Sequence, residues 1–190
     1  MILMTNVLRI GLYFLCIVAL PSLCRAQTNC KPWMSGTILG QDDFQGRPPE
    51  KSTFGAGVQT SFYYSVTYYN GRIVLKTQTC LYKRASWLLM IPPSNRLLQH
   101  EQLHFDIAEL HRRLFVQAIL STTMTRFNYQ RKIRRSYRLY QDTLTAFQNA
   151  YDGQTEHGAD IERQLQWQED VSQKLDSIGN AQNQLAISFR

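Results

Sequence analysis

The chain has 190 residues, of which 44% are hydrophobic and 18% are charged, and its formal net charge is +7. After residue 26 no stretch is apolar enough to span a membrane, and the sequence contains no internal repeat and no low-complexity tract. These features exclude a multi-span membrane protein and a repeat protein. They suit one domain with a hydrophobic core.

Residues 1–26 have the pattern of a secretory signal peptide. Arg9 supplies the early positive charge, residues 10–20 are almost wholly apolar, and the segment ends at the small residue Ala26. We predict cleavage after Ala26. The protein is then expected to be exported, either periplasmic or secreted, with residues 27–190 forming a single domain.

Two cysteines, Cys30 and Cys80, remain after this segment. Exported proteins fold in an oxidising compartment, where two cysteines have only one intramolecular pairing. We therefore predict a Cys30–Cys80 disulfide. Zinc binding by one of them is the weaker alternative, because neither belongs to a Cys-x-x-Cys motif.

The first part of the exported chain is typical of β-structure. Residues 55–67 and 72–82 are rich in Val, Ile, Thr, Tyr and Phe, and Asn70-Gly71 lies between them. Asn-Gly between two such runs is a strong hairpin signal. Residues 86–90 are either a last short strand or the approach to the following helix.

A His-Glu-x-x-His motif follows, at His100, Glu101 and His104, inside a predicted helix from Arg96 to about Ile119. Residues four apart on a helix lie on the same face, one turn along it. Two imidazoles there can hold one zinc ion, and the neighbouring glutamate can act on a zinc-bound water. Apolar residues recur through the segment at helical spacing: Leu97, Leu103, Ile107, Leu110, Leu114 and Ala118.

The rest of the chain is predicted to be helical almost to its end. One candidate helix covers residues 130–151 and another covers residues 156–178, with Asp152-Gly153 as the break between them. The resulting fold class is α+β, a small antiparallel sheet followed by the motif helix and two or more further helices.

A catalytic zinc site needs a third protein ligand, and spacing leaves several candidates open. His111 lies seven residues, about 10 Å, beyond His104, which is too far to share one ion. His157 follows a glycine-containing loop and is the leading candidate by spacing, with Asp152 and Asp160 as rivals.

Much of the positive charge lies in one segment where cations alternate with aromatic residues. Nucleic acid or anionic lipid could bind such a surface. A solvated helix face with its aromatic residues turned inward is the favoured interpretation, and export also argues against a nucleic-acid partner. The cations are Arg126, Arg131, Lys132, Arg134, Arg135 and Arg138.

Four stretches together resemble a bacterial family described as secreted zinc-dependent proteases. They are residues 96–110 around the His-Glu-x-x-His motif, residues 43–46, Ser86-Trp87, and the Tyr-Asp-x-x-Thr-x-His-Gly motif at residues 151–158, followed by Trp167. The resemblance covers most of residues 27–190. It implies a zincin-like peptidase domain with Zn²⁺ as cofactor and a peptide or protein substrate, and it favours His157 as third ligand.

In the mechanism that this resemblance implies, Glu101 is the general base. Tyr151 is a candidate donor to the oxyanion, or else an ordinary packed tyrosine. Asp106 and Asp160 are candidate partners of the ligand imidazoles, or else acids on helix surfaces. The alternative function is a non-catalytic zinc-binding or interaction protein of the cell envelope that keeps the zincin-like fold. The sequence carries no signal for substrate specificity or oligomeric state.

Overall fold

The computed structural model describes residues 29–189, which form a mixed α+β fold, as predicted from the sequence. The predicted signal peptide, residues 1–26, lies outside the described residues. The strands and α-helices of the described part are β1 (Cys30–Pro32), β2 (Ala56–Gly57), β3 (Thr60–Tyr69), β4 (Arg72–Tyr82), β5 (Trp87–Leu88), α1 (Asn95–Leu120), α2 (Tyr129–Thr155), α3 (Ile161–Ile178) and β6 (Gln184–Ser188), and two short 3-10 helices lie at Gln41–Asp43 and Lys83–Ala85.

β3 and β4 form the antiparallel hairpin that Asn70-Gly71 predicts. The backbone φ angles of Asn70 and Gly71 are 49° and 76°, as the two central residues of a type I′ turn require. β4 is the central strand of the main sheet, with β3 on one side and with β1 and β6 on the other, all antiparallel. The fully buried Ile73 and Leu75 of β4 turn one face of this sheet towards the helices.

α1 lies at the centre of the molecule, between the sheet and the other two helices. The Ser94 hydroxyl begins the helix by accepting a hydrogen bond from the Leu97 N–H at 3.1 Å. Both α2 and α3 pack against α1 in addition to the sheet, so its buried surface extends well beyond a single apolar stripe. One continuous core joins these elements and includes Phe62, Ile73, Leu75, Leu103, Ile107 and Phe115.

The predicted break at Asp152-Gly153 is wrong, because α2 continues through both residues to Thr155. A glycine inside a helix costs only about 1 kcal/mol, and burial of Tyr151 and Thr155, on either side of Gly153, outweighs that cost. The chain leaves the helix at residues 156–158, whose φ angles are all positive. α3 therefore begins at Ile161, five residues later than predicted.

The end of the chain also differs from the prediction, since α3 is followed by strand β6 rather than by further helix. β6 pairs with residues 72–76 of β4. Its side chains alternate between exposed and half-buried, and Leu185 and Ile187 pack against the core. The strand is therefore stabilised by a partner about 110 residues earlier in the chain, which no local pattern reveals.

A buried charge cluster connects α1 to the sheet and to the end of α3. The Glu109 carboxylate accepts hydrogen bonds from Arg112 and Arg113 at 2.7–2.9 Å and from the Thr79 hydroxyl at 2.8 Å. All three charged side chains are almost fully buried. The two guanidinium groups also donate to backbone carbonyls at the junction between α3 and β6, those of Leu175, Gly179 and Ala181.

A second buried carboxylate, that of Asp43, joins the loop before β2 to the main sheet. It accepts the Gly40 N–H at 3.0 Å and forms ion pairs with Lys31 and Lys83. Burial by itself raises the pKa of Asp43, but the Gly40 hydrogen bond and the two ammonium groups outweigh it and hold that pKa below its ordinary value.

The predicted disulfide between Cys30 and Cys80 is confirmed. It joins β1 to the neighbouring strand β4, with the two Cα atoms 5.3 Å apart. A disulfide indicates that the protein folds in an oxidising environment, as expected of an exported chain. Within residues 29–189, none of the helices combines the length and the apolar character that a membrane span requires.

Candidate metal centre

His100 and His104 lie one turn apart on the buried face of α1, as the motif predicts. Their Nε2 atoms point to the same carboxylate oxygen, Oδ1 of Asp152, at 3.1 Å and 2.9 Å. Asp152 reaches them from α2, which packs alongside α1. The ligand-type atoms of these three residues lie within 4.8 Å of one another, close enough to hold a single metal ion.

His157 lies beside this group rather than inside it. Its Nδ1 atom is 3.7 Å from Oδ1 of Asp152. Its side chain is 49% exposed, and its ring packs on Phe54 with centroids 4.3 Å apart. Of the candidates that spacing left open for the third position, Asp152 is therefore the one that the structure brings together with the histidine pair. His157 stands at the edge of the group.

Glu101 is almost fully buried next to the histidine pair. Burial raises the pKa of its carboxyl, against the lowering effects of the two histidines and of a hydrogen bond from the Val58 backbone. Glu101, both histidines and Asp152 line one cleft of about 530 Å³. The carboxyl group therefore belongs to the lining of the cleft that contains the histidine pair.

Two short strands form the opposite wall of this cleft. β2 pairs with β5 in an antiparallel ladder, Ala56 with Leu88 and Gly57 with Trp87. The segment predicted as either a strand or an approach to the helix is therefore a strand. Gly57 permits the close packing of the Trp87 indole, because a Cβ atom at this position would lie 2.8 Å from the ring.

The surroundings of the His100 ring favour a positive charge, either a second proton on the ring or a metal ion beside it. Its Nδ1 atom lies 3.1 Å from Oε1 of Gln164 and its Nε2 atom 3.1 Å from Oδ1 of Asp152, so both ring nitrogens face oxygen acceptors. A neutral imidazole carries only one N–H, and a second proton or a metal ion must occupy the other contact. Burial lowers the pKa of His100, but its contacts with Asp152 and Gln164 outweigh burial and raise it.

Asp152 supplies a negative charge that complements the positive charge favoured at His100. Burial alone raises the pKa of its carboxyl, yet hydrogen bonds from His100 and His104 outweigh that effect and leave the pKa well below the ordinary value. The carboxylate is thus held in its charged form between two nitrogen donors. Two imidazoles and one carboxylate are a donor set that suits zinc.

Tyr151 packs behind the histidine pair. It is fully buried, and its ring stacks on that of His100 with centroids 4.7 Å apart and an interplanar angle of 25°. Its hydroxyl donates to Oε1 of Gln164 at 2.7 Å and also lies 3.2 Å from the backbone oxygen of His100. Burial raises the pKa of this phenol, which stays protonated. The structure thus places the hydroxyl against Gln164 and α1.

The two carboxylates predicted to orient the imidazoles have other partners in the structure. Asp106 accepts hydrogen bonds from Trp33 Nε1 at 2.7 Å and from Gln102 Nε2 at 3.1 Å. Asp160 caps the start of α3 by accepting the Arg163 N–H at 3.0 Å. The side chain that does face an imidazole is Gln164, to which no sequence motif points.

The remaining histidine and the basic segment lie apart from this group. His111 is buried, with Nδ1 2.8 Å from the Ile107 carbonyl oxygen and its ring against Phe147. In α2, Tyr137 and Tyr140 pack on the core, while the arginines of the same helix are exposed. Phe127, just before the helix, is 83% exposed, but within α2 this is the arrangement of a solvated basic face with inward aromatic residues.

A family model with the description "Bacterial protein of unknown function (DUF922)" matches residues 64–158, half of the chain. The chain belongs to this family. The matched region runs from β3 to the turn after α2, so it contains the histidine pair, Glu101, Asp152 and His157. No curated protein and no solved structure matches the chain. The family description carries no activity, so the function has to be argued from the site.

Proposed function

We propose that this protein is an exported zinc-dependent peptidase of zincin type. The main support for this proposal is that His100 Nε2, His104 Nε2 and Asp152 Oδ1 lie within 4.8 Å of one another, beside a buried glutamate and in an open cleft. His-Glu-x-x-His on a helix, with the glutamate inside the cleft, is the pattern of a metallopeptidase. The disulfide and the N-terminal segment support export.

The proposed zinc ligands are His100, His104 and Asp152. Asp152 is preferred over His157 because its carboxylate already lies within hydrogen-bonding distance of both Nε2 atoms, whereas His157 is half exposed. At the edge of the group, His157 is in a position to contact substrate or to provide a further ligand. These roles can be separated by substitution.

Zinc, when bound, supplies a Lewis acid that activates water and polarises the scissile carbonyl. Glu101 accepts the proton of the attacking water and returns it to the leaving amine. Its burial next to two histidines places that carboxylate inside the cleft rather than in bulk solvent. Ala56 and Gly57 of β2 line the same cleft, and an extended peptide substrate can pair with this strand by strand addition.

The test is zinc content by elemental analysis, together with hydrolysis of a mixture of denatured proteins, read as new termini by mass spectrometry. Wild type is expected to carry about one zinc per chain and to cleave. Glu101→Gln should keep the zinc and lose activity by about 10²- to 10⁴-fold. Asp152→Asn should lose zinc, and His157→Asn should keep most of it. His111→Asn is the matched control and should change neither quantity.

Each departure from these results has a defined meaning. Zinc lost in His157→Asn but kept in Asp152→Asn would transfer the third position to His157. Zinc binding without hydrolysis, or hydrolysis unchanged in Glu101→Gln, would favour the non-catalytic zinc-binding protein of the envelope. A wild-type protein that takes up no zinc on reconstitution would refute the peptidase.

A further inference from the structure

We propose that Gln164 positions the His100 imidazole for metal binding, and that Tyr151 in turn fixes the orientation of the Gln164 amide. This role rests on the proposed metal site and adds to it a residue outside the family match, which ends at residue 158. Gln164 lies in the first turn of α3, 64 residues after His100.

The Gln164 side chain is polar and yet almost fully buried. Gln164 is only 4% exposed, and burying an amide without its hydrogen bonds costs at least about 1–3 kcal/mol. Its Oε1 atom receives two contacts, from the Tyr151 hydroxyl at 2.7 Å and from His100 Nδ1 at 3.1 Å. Its Nε2 atom is buried without a hydrogen-bond partner among the described residues. The energetic use of this side chain therefore lies in its oxygen.

That oxygen determines which ring nitrogen of His100 carries the proton. Oε1 can only accept, so the Nδ1 atom that faces it must carry N–H. The lone pair of a singly protonated ring is then on Nε2, the atom that faces Asp152 and the proposed metal. Ligand histidines generally donate their other N–H to an oxygen acceptor, which fixes both tautomer and ring orientation.

Tyr151 supports the described orientation of the Gln164 amide group. If Gln164 were rotated by 180°, its NH₂ group would face Nδ1 and favour the opposite tautomer. The Tyr151 hydroxyl has a single proton to donate, and its contact with Oε1 at 2.7 Å is shorter than its 3.2 Å contact with the His100 carbonyl oxygen, which supports the orientation in which Oε1 faces both partners. The same tyrosine stacks on the His100 ring. One side chain therefore holds both the imidazole and the amide.

The second histidine lacks such support. The Nδ1 atom of His104 is buried and has no hydrogen-bond partner among residues 29–189. Of the two motif histidines, His100 is thus the one that has an oxygen acceptor facing its Nδ1 atom within the described residues. Removing the Gln164 oxygen should consequently weaken metal binding although Gln164 is not itself a ligand.

The experiment measures zinc affinity by competition with a chelator for wild type, Gln164→Leu, Gln164→Glu and Tyr151→Phe. Gln164→Leu removes the acceptor and should weaken zinc binding by about 10- to 100-fold. Gln164→Glu keeps an acceptor in place and should stay within about threefold of wild type. Tyr151→Phe should fall between them. Gln168→Leu, one turn further along α3 and only partly buried, is the matched control and should leave the affinity unchanged.

A second readout is the Nδ1 proton of His100 in the zinc-loaded protein, observed by NMR. It should be shifted downfield by its hydrogen bond in wild type and in Gln164→Glu, and move upfield in Gln164→Leu. This signal is read in wild type even if a variant does not fold. A His100 Nδ1 proton without a hydrogen-bond shift in wild type overturns the proposal.

Two further results would also overturn it, and they differ from failure of the proposed function. If wild type binds zinc and Gln164→Leu binds it equally well, only the positioning role is lost. The same holds if Gln164→Glu loses as much affinity as Gln164→Leu. A wild type that binds no zinc overturns the metal site itself, and with it the role of Gln164.

Discussion

Replacing Gly158 by alanine tests how tightly the turn after α2 holds His100. Gly158 has a φ of +82°, a conformation that costs a residue with a Cβ atom about 1–2 kcal/mol. A Cβ atom there would also lie 3.0 Å from Cγ and 3.1 Å from Nδ1 of His100. Carbon atoms pack best at about 3.5–4.0 Å, so the ring must move by roughly 0.5 Å.

These two effects predict two separable losses. The free energy of unfolding should fall by about 1–3 kcal/mol, which combines the backbone cost with the strain of the close contact. Binding sites need their groups within about 0.5 Å of the productive position. We therefore expect zinc affinity to fall by about tenfold, equivalent to 1.4 kcal/mol.

Gly71→Ala is the matched control. Gly71 has nearly the same φ, +76°, but nothing lies within 4 Å of a Cβ atom there. It should lose stability through the backbone cost alone and keep wild-type zinc affinity. The assays are urea denaturation of the zinc-free proteins and chelator competition. Equal stability losses in the two variants, with zinc affinity unchanged in Gly158→Ala, would refute the close approach of Gly158 to His100.

Three further predictions concern the parts of the fold that hold the site. The disulfide closes a loop of 50 residues, so replacing Cys30 and Cys80 by alanine should lower the free energy of unfolding by about 2–4 kcal/mol; a loss below about 1 kcal/mol in urea denaturation would contradict this. Glu109→Gln leaves two buried arginines without their carboxylate and should cost about 3–5 kcal/mol, and wild-type stability in the same assay would disprove it. The folded pKa of Asp43 is lowered, so its stabilisation is complete above the unfolded value of about 3.9 and is lost as pH falls through the folded pKa. The stability difference between wild type and Asp43→Asn should therefore shrink as pH falls below about 4, and a constant difference between pH 5 and pH 3 would count against the ion pairs.

Local sequence predicted those features whose physical cause is local. Asn70-Gly71 predicts the hairpin because both residues tolerate the positive φ angles of a type I′ turn. His100 and His104 share a face of α1 because four residues are close to one helical turn. The disulfide followed from the presence of two cysteines in an exported chain, for which only one intramolecular pairing exists.

Which residues complete the site depends on packing between distant segments. Asp152 comes 48 residues after His104, and its place beside the imidazoles depends on how α2 packs on α1. Asp152-Gly153 predicts a helix break at this point, which would remove Asp152 from that helix face. Gln164 belongs to no sequence motif. In the sequence it is one of several polar residues of an amphipathic helix, and its contact with His100 follows only from how α3 packs on α1.

The features that the sequence predicts and those that it does not predict differ for one physical reason. Turn geometry, helical periodicity and cysteine pairing act over a few residues or through a single possible partner, so they predict the His-Glu-x-x-His helix, the hairpin and the disulfide. The direction of Asp152, the support of His100 by Gln164, and the pairing of β6 with β4 all depend on side-chain packing between distant segments. That packing buries apolar surface and leaves few polar groups unsatisfied over the whole molecule at once, so it is seen only in the folded structure.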